Sequence, residues 1–186
     1  AKSQQNISPS FVKDNFIKMD TTITMRDGIK LYTIIYIPKD VTEKYPFLME
    51  RTPYSVHPYG ENNYAERIGP DLNLMKEKYI FVYQDVRGRY MSEGVNLEVT
   101  PYIAVKKTKR ETDESSDTYD TIDWMLKNIK NNNGRVGMDG ISYPGFYATA
   151  SLPGSHPETK AESPQAPGTA EIKGQKAHKN GQLLLL

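Results

Sequence analysis

The feature that most constrains this chain is a serine set between glycines, in the run GISYPG at residues 140–145. A short apolar segment leads into the run, which is typical of a strand that turns sharply into a helix. A side chain at position 140 would collide with such a turn, and Pro144 suits the first turn of the following helix. Strain in this turn pushes the serine hydroxyl out above the end of a sheet. The pattern therefore predicts Ser142 as a nucleophile.

The same turn predicts a hydrogen-bond donor for developing negative charge. The backbone N–H of Tyr143 is expected to point at the space above Ser142, where the oxyanion of an acyl transfer needs a donor. A glycine–x–serine pattern also occurs by chance, and the alternative is an ordinary turn with a solvated serine. The layout of the rest of the chain favours the first interpretation.

Strand patterns recur along the chain before this turn. Five strands are predicted, at residues 16–25, 29–37, 47–51, 79–83 and 135–138. The first two form a hairpin around Asp27-Gly28, a dipeptide that favours tight turns. The fourth is a near-continuous apolar run, typical of a strand that is buried on both faces of a sheet. The fifth leads directly into Ser142.

Helices are predicted between and after these strands, at residues 72–78, from about residue 112 to residues 131–134, and at 146–152. The second helix carries an apolar stripe at a spacing of three or four residues, and Gly134 is predicted to cap its end. The stripe consists of Tyr119, Ile122, Leu126 and Ile129. Asp113, Glu114 and Asp117 crowd its first turns, and we interpret them as carboxylates favoured by the helix dipole rather than as a cation site. Residues 160–164 are predicted as a polar sixth strand.

Composition excludes several classes of function. The 186 residues suffice for one domain with a core, and 25% of them are charged. A formal charge of +1 gives no reason to expect nucleic acid or an anionic membrane as a partner. The absence of cysteine excludes disulfides, thiolate metal sites and a cysteine nucleophile. No apolar run approaches the ~20 residues of a membrane span. The start at Ala1 fits removal of a signal peptide or of a tag, and a periplasmic or secreted location is favoured over a cytoplasmic one.

Four motifs, in this order and spacing, resemble one enzyme family. They are RTPY at residues 51–54, DVRGR at 85–89 with SEG at 92–94, DTIDW at 120–124, and GISYPG at 140–145. The family is that of α-amino-acid ester hydrolases, glutaryl-7-aminocephalosporanic acid acylases and cocaine esterase, whose fold is shared with X-Pro dipeptidyl peptidases. The resemblance covers roughly residues 15–182. It implies an α/β-hydrolase fold, with a mostly parallel sheet and an N-terminal hairpin, truncated after the nucleophile elbow and about the sixth strand.

The resemblance also implies a division of the chain. Residues 1–14 are expected to be an N-terminal arm. Residues 15–165 are expected to form the N-terminal half of an α/β-hydrolase domain. Residues 166–186 are expected to be the start of a cap region or a disordered tail.

The resemblance assigns roles to single residues. Ser142 matches the nucleophile that forms an acyl-enzyme, and Tyr143 matches the residue whose backbone N–H donates to the oxyanion. Tyr54 matches a tyrosine whose hydroxyl is the second donor. Asp85 and Arg87 are expected to brace the loop beside the site rather than to take part in chemistry. Asp139 departs from the family, because relatives often carry tryptophan or another uncharged residue at this place.

Two further departures affect catalysis and substrate binding. The acid and base of the family lie beyond this chain, and none of its three histidines matches the catalytic one. His57 is expected near the pocket, whereas His156 and His178 are expected at the surface. Without a base, Ser142 is a weak nucleophile. We therefore expect either that the chain is a fragment of a longer enzyme or that the remaining residues of the enzyme are not included in this sequence. Gln175 and Lys176 replace an acidic pair, and the lysine would repel a substrate ammonium.

Three functions remain open from the sequence. The first is a serine hydrolase that cleaves a small-molecule ester or amide, a β-lactam side chain among the candidates, without metal or cofactor. The second is a non-catalytic module that kept the turn at Ser142. The third is a peptidase that removes X-Pro dipeptides. Neither nucleic acid nor membrane is expected as a partner, and a homo-oligomer is left open.

Overall fold

The computed structural model describes residues 7–97, 100–167, 178–179 and 182–183. Its main strands are β1 (Phe16–Thr24), β2 (Lys30–Pro38), β3 (Tyr45–Thr52), β4 (Ile80–Asp85), β5 (Asn132–Ile141) and β6 (Thr159–Gln165). Its helices are α1 (Phe11–Asn15), α2 (Leu72–Lys76), α3 (Glu114–Asn128) and α4 (Tyr143–Ser151), the last followed by a 3₁₀ turn at Leu152–Gly154. Two short strands, β7 (His178–Lys179) and β8 (Gln182–Leu183), pair antiparallel with each other.

The six main strands form one sheet in the order β1-β2-β4-β3-β5-β6. β1 pairs antiparallel with β2, and β2 pairs antiparallel with β4. The pairs β4–β3, β3–β5 and β5–β6 are parallel. The predicted α/β-hydrolase fold, with its N-terminal hairpin and mostly parallel sheet, is confirmed. Because parallel strands end at the same edge, the residues that follow β3, β4 and β5 share the carboxyl edge of the sheet.

Apolar clusters cover both faces of the sheet. On one face α3 and α4 pack through Ile122, Met125 and Ala148 against buried methionines of β3 and β5. On the other face α1, α2 and the loop after β3 pack on β2 and β4, and Val12 and Met75 are fully buried there. The second cluster lies over β2 and β4 and reaches β3 only at Leu48, which is half-buried.

The last part of the N-terminal arm predicted at residues 1–14 lies in helix α1. Phe11–Asn15 is a helix whose Val12 is fully buried. The apolar Phe11 and Val12 pack on the sheet, which a scan for periodicity over so short a stretch does not detect. Residues 1–6 lie outside the described residues.

The end of α3 differs from the prediction. The helix ends at Asn128, and Gly134 does not cap it but lies inside β5 with φ +76°. Asn131 takes the left-handed conformation instead, with φ 64°, and its carbonyl oxygen accepts a hydrogen bond from the backbone N–H of Tyr45 at 2.8 Å. Pairing with β3 therefore begins three residues earlier than the apolar pattern indicates.

The buried face of α3 also differs from the predicted stripe. Ile122 and Ile129 are buried as predicted, whereas Tyr119 and Leu126 are only half-buried and Met125 is fully buried. Polar side chains fill the first turns of the buried face, because charged and hydroxyl partners from the sheet meet them there.

The predicted cap or tail at residues 166–186, which includes Gln175 and Lys176, falls largely outside the described residues. Among the helices that the structure describes, none has the length and apolar character to cross a membrane.

Candidate active site

Ser142 occupies the turn between β5 and α4 in a strained conformation. Its φ is 62° and its ψ is −118°, a region that residues other than glycine seldom adopt. The Ser142 N–H donates to the carbonyl oxygen of Gln165 at 2.9 Å, and the Phe146 N–H donates to the carbonyl oxygen of Ser142 at 2.9 Å. β6 and the first turn of α4 thus hold the strained residue from both sides.

The glycines around the serine allow this turn for steric reasons. A Cβ atom added at Gly140 would lie 2.3 Å from the carbonyl carbon and oxygen of Pro144. A Cβ atom at Gly145 would lie 2.6 Å from the carbonyl oxygen of Gln165. Both contacts are with backbone, which cannot rotate away. α4 starts at Tyr143, three residues before its predicted start, so Pro144 lies in the first helical turn.

The structure brings together the two loops that carry the predicted site residues. Tyr143 is the first residue of α4, and its ring meets the ring of Tyr54 edge to face, with centroids 5.9 Å apart and an interplanar angle of 88°. Tyr54 follows β3 and is 56% exposed, so its side chain stands at the surface of the carboxyl edge. Ser142, Tyr143 and Tyr54 therefore share one small region.

Asp85 holds the loop that carries Tyr54. Its buried carboxylate accepts hydrogen bonds from the Val56 N–H at 3.0 Å, the Tyr59 hydroxyl at 2.9 Å and the Met91 N–H at 3.3 Å. Burial raises the pKa of the Asp85 carboxyl, and the hydrogen bond from Tyr59 opposes that shift. Arg89 adds a hydrogen bond from its Nε to the carbonyl oxygen of Pro53 at 3.1 Å.

Arg51 lies directly below this loop, with a side chain that is fully buried. Its Nε donates to the Gln84 side chain at 2.9 Å, and its Nη1 donates to the Glu114 carboxylate at 2.8 Å and to the Thr118 hydroxyl at 3.0 Å. It also lies 5.8 Å from the ring centroid of Tyr147 in α4. From the sequence, Arg51 has no predicted role beyond its place in the RTPY motif. An arginine inside an apolar strand was the available signal, because such a charge requires a buried partner.

The three carboxylates at the start of α3 bind groups of the protein itself. Asp113 caps the helix, with its carboxylate accepting from the Ser116 N–H at 2.8 Å. Glu114 binds Arg51, and Asp117 accepts from Arg87 at 2.7 Å. Two of these carboxylates therefore bind arginines and the third caps the N-terminus of α3, in addition to the predicted interaction with the helix dipole.

Arg87 links the hairpin to α3. It donates to Asp117 through Nε at 2.9 Å and through Nη2 at 2.7 Å, and through Nη1 to Asp27 at 2.7 Å. Asp27 belongs to the turn between β1 and β2. Arg87 thus joins three separate elements beside the carboxyl edge.

The histidines lie in different environments. His57 is exposed and lines a cavity of about 360 Å³ together with Tyr54 and Pro144. His156 is 9% exposed and packs against Tyr119 in a tilted arrangement, with ring centroids 4.6 Å apart, so its predicted surface position is wrong. Burial lowers the pKa of His156. Tyr119 is half-buried in α3 and contacts His156 from a distant part of the sequence. His178 lies in β7.

Asp139 precedes the elbow and is 9% exposed. It lies beside Glu50 of β3, since Met49 and Met138 are paired in the parallel register of β3 and β5. Burial, followed by the charge of Asp139, raises the pKa of Glu50 to about 7. Within the part of the chain that the structure describes, no group of three or more histidine or carboxylate side chains is placed to hold a metal ion.

Comparison with known proteins places these features in one family. The family model described as X-Pro dipeptidyl-peptidase (S15 family) matches residues 27–185. Cocaine esterase from Rhodococcus sp. (strain MB1 Bresler) is 30% identical over 129 residues, which are 69% of this chain and 20% of that protein.

Solved structures give the same result. An α-amino acid ester hydrolase is 33% identical, with a TM-score of 0.80 over 98% of this chain and 31% of its own. An aminopeptidase from the marine sediment archaeon Thaumarchaeota archaeon is 35% identical, with a TM-score of 0.72 over 98% of this chain and 30% of its own. This chain thus spans between a fifth and a third of the length of these relatives.

Proposed function

Because this chain belongs to the X-Pro dipeptidyl-peptidase (S15) family, we propose that it carries the nucleophile and the oxyanion donors of a serine hydrolase. The enzyme cleaves a small-molecule ester or amide through an acyl-enzyme. The observation that supports this most is the strained backbone of Ser142, with φ 62° at a turn where two glycines are sterically required. A solvated serine in an ordinary turn would not need that strain.

In the proposed mechanism, the Ser142 hydroxyl attacks the carbonyl carbon and a tetrahedral intermediate forms. Its oxyanion accepts hydrogen bonds from the backbone N–H of Tyr143 and from the hydroxyl of Tyr54. Collapse of the intermediate releases the alcohol or amine, and water then cleaves the acyl-enzyme. The base that takes the Ser142 proton and the carboxylate that orients that base come from residues outside this chain.

The acyl group is proposed to resemble those of α-amino-acid ester hydrolases or glutaryl-7-aminocephalosporanic acid acylases. The 33% identity and TM-score of 0.80 with an α-amino acid ester hydrolase favour this substrate class. A peptidase acting on amide bonds is the second candidate, favoured by the 35% identity with an archaeal aminopeptidase.

The test uses the protein isolated from its native source, with its intact mass measured. A fluorophosphonate probe should label the wild type, and Ser142→Ala should abolish labelling, whereas Ser155→Ala, a change at an exposed serine, should leave it unchanged. Labelling that survives Ser142→Ala would refute Ser142 as nucleophile. A mass near 21.1 kDa without labelling would refute the hydrolase proposal and favour a non-catalytic module.

A further inference from the structure

We propose that Tyr59 is a positioning residue for the Tyr54 hydroxyl, the side-chain oxyanion donor of the proposed hydrolase. This inference rests on the proposed function and adds to it a residue that lies outside the four motifs of the family. Tyr59 acts through Ser55, which directly follows Tyr54, and through the buried carboxylate of Asp85.

Ser55 has a strained backbone directly after Tyr54. Its φ is 87°, in the left-handed region that serine seldom adopts. Such strain persists only where surrounding contacts hold the residue in place, and it is concentrated at functional sites. Because the φ angle of Ser55 sets the direction in which the chain leaves Tyr54, the contacts that hold Ser55 also fix the position of Tyr54.

A series of hydrogen bonds runs from Ser55 through Tyr59 to Asp85. The Tyr59 hydroxyl donates to the Asp85 carboxylate at 2.9 Å, and the Ser55 hydroxyl lies 2.8 Å from the Tyr59 hydroxyl. A phenol has one proton to donate, so the Ser55 hydroxyl donates to the Tyr59 oxygen. The Ser55 oxygen in turn accepts from the His57 N–H at 3.2 Å. Burial raises the pKa of Tyr59 to about 12, so the phenol keeps its proton at neutral pH.

The chain before Tyr54 is held by other groups. The Tyr54 N–H donates to the Thr52 hydroxyl at 3.1 Å, and the Arg89 Nε donates to the carbonyl oxygen of Pro53 at 3.1 Å. Loss of the Tyr59 hydroxyl therefore loosens Tyr54 on one side only and leaves the end of β3 in place.

The N-terminal hairpin supports Tyr59 itself. The Tyr59 ring meets the ring of Tyr32 in β2 edge to face, with centroids 5.3 Å apart and an interplanar angle of 78°. The Tyr32 hydroxyl donates to the Asp20 carboxylate of β1 at 2.6 Å. The Tyr59 hydroxyl is therefore fixed by the hairpin and by Asp85 at the end of β4, two places outside the loop that carries Tyr54.

A double-mutant cycle in the complete enzyme, with an ester substrate, tests this role. Tyr59→Phe should lower kcat about tenfold and change KM by less than about twofold, because the oxyanion forms only in the transition state. A tenfold loss corresponds to a Tyr54 hydroxyl that is in place about a tenth of the time. In a Tyr54→Phe background, Tyr59→Phe should change kcat by less than about twofold, because no hydroxyl remains there to be positioned.

A merely structural role for Tyr59 predicts a different cycle. Fewer folded molecules would lower kcat by the same factor with and without the Tyr54 hydroxyl, so equal factors would overturn the proposal. An unchanged kcat in Tyr59→Phe alone would overturn it as well. Tyr64→Phe is the matched control and should keep the wild-type kcat. Tyr64 is a half-buried tyrosine of the same loop, and its hydroxyl accepts from the Lys18 N–H at 3.1 Å.

Ser55→Gly breaks the same series of hydrogen bonds by a second route. Glycine adopts a φ of 87° without strain, so this variant loses the hydroxyl but not the loop conformation. Its kcat should also fall about tenfold, and combining it with Tyr59→Phe should add less than about twofold. Full additivity would show that the two residues act separately and would contradict the proposal. Thermal unfolding of each variant checks that kcat is measured on folded protein.

Ser142→Ala separates this proposal from that of the hydrolase. If the wild type shows no turnover, or if turnover persists in Ser142→Ala, the hydrolase proposal fails and this one fails with it. If turnover requires Ser142 and Tyr59→Phe has equal effects in both backgrounds, the positioning role of Tyr59 alone is refuted.

Discussion

Among single residues, Tyr54 and Ser142 are held in different ways. Ser142 is strained and tied through its backbone to Gln165 and Phe146. Tyr54 is more than half exposed, and its position depends on the ring of Tyr143 and on the loop contacts of Asp85 and Arg89. A role for the Tyr54 hydroxyl can therefore be tested without disturbing the packing.

Tyr54→Phe keeps the ring contact with Tyr143 and removes only the hydroxyl. If that hydroxyl binds the oxyanion, kcat of the complete enzyme should fall about 100-fold to 1,000-fold with little change in KM, because the interaction forms only in the transition state. Steady-state kinetics with an ester substrate measure this. Tyr90→Phe, at a tyrosine that is 59% exposed on the next loop, is the matched control and should leave kcat unchanged. A rise in KM alone would contradict the assigned role.

Between elements, Arg51 connects β3 to both β4 and α3. Its guanidinium ties β3 to β4 through Gln84 and to α3 through Glu114 and Thr118. Burial raises the pKa of Glu114, and the charge of Arg51 opposes that shift. The end of β3, and with it the start of the Tyr54 loop, is therefore set by contacts with α3.

Arg51→Lys should destabilise the protein by about 2–3 kcal/mol. A lysine keeps the charge but cannot donate to three separated partners, so buried hydrogen bonds to charged groups are lost. Urea unfolding measures the change. Arg26→Lys is the matched control, since the Arg26–Asp120 pair is partly exposed, and its cost should stay below about 1 kcal/mol. Equal costs for both variants would contradict this account of Arg51.

The strand-to-helix turn requires glycine at position 140, because the Pro144 backbone leaves no room for a Cβ atom there. Gly137, in the same strand, has room for one. Gly140→Ala should destabilise the protein by more than about 2 kcal/mol and abolish probe labelling, because its Cβ would lie 2.3 Å from the Pro144 backbone. Gly137→Ala meets only ordinary contacts, the nearest at 3.4 Å, and should change stability by less than about 1 kcal/mol. Urea unfolding and fluorophosphonate labelling test the pair, and a tolerated Gly140→Ala would refute the steric argument.

On the scale of the whole molecule, the burial of carboxyl groups makes stability depend on pH. The pKa of Glu50 is raised from its usual range to about 7, so the folded state binds a proton that the unfolded state releases between about pH 4.5 and pH 7. Stability should therefore fall as pH rises through this window, by at most about 1.4 kcal/mol per pH unit from this group. Asp85, Glu114 and Glu162, whose pKa values burial also raises, act in the same direction.

Glu50→Gln should reduce the slope of unfolding free energy against pH by the amount that corresponds to nearly one bound proton. Urea unfolding at pH 5, 6 and 7 gives the slope for the wild type and for the variant. Glu77→Gln is the control and should keep the wild-type slope. An unchanged slope in Glu50→Gln would show that Glu50 does not titrate in this window.

Local patterns in the sequence were sufficient to predict the strand-to-helix turn at Ser142 and the order of the strands and helices. The glycines beside Ser142, the hairpin at Asp27-Gly28 and the apolar strands depend on steric limits and periodicity over a few residues. The structure bears out the hairpin, the strands and the fold class. The roles proposed for Ser142, Tyr143 and Tyr54 stay predictions. The α3 cap was misplaced, because the early pairing of β5 with β3 overrides a signal as local as Gly134.

Contacts between distant residues were decided only by the tertiary structure. Arg51 meets Glu114 across 63 positions, His156 is covered by Tyr119, and Glu50 meets Asp139 because of the register of two parallel strands. None of these pairs has a local signature, since each depends on how strands align and helices dock. The sequence by itself determined the turn that presents Ser142. The charges and cavities around that turn were determined by which distant residues the fold brings together.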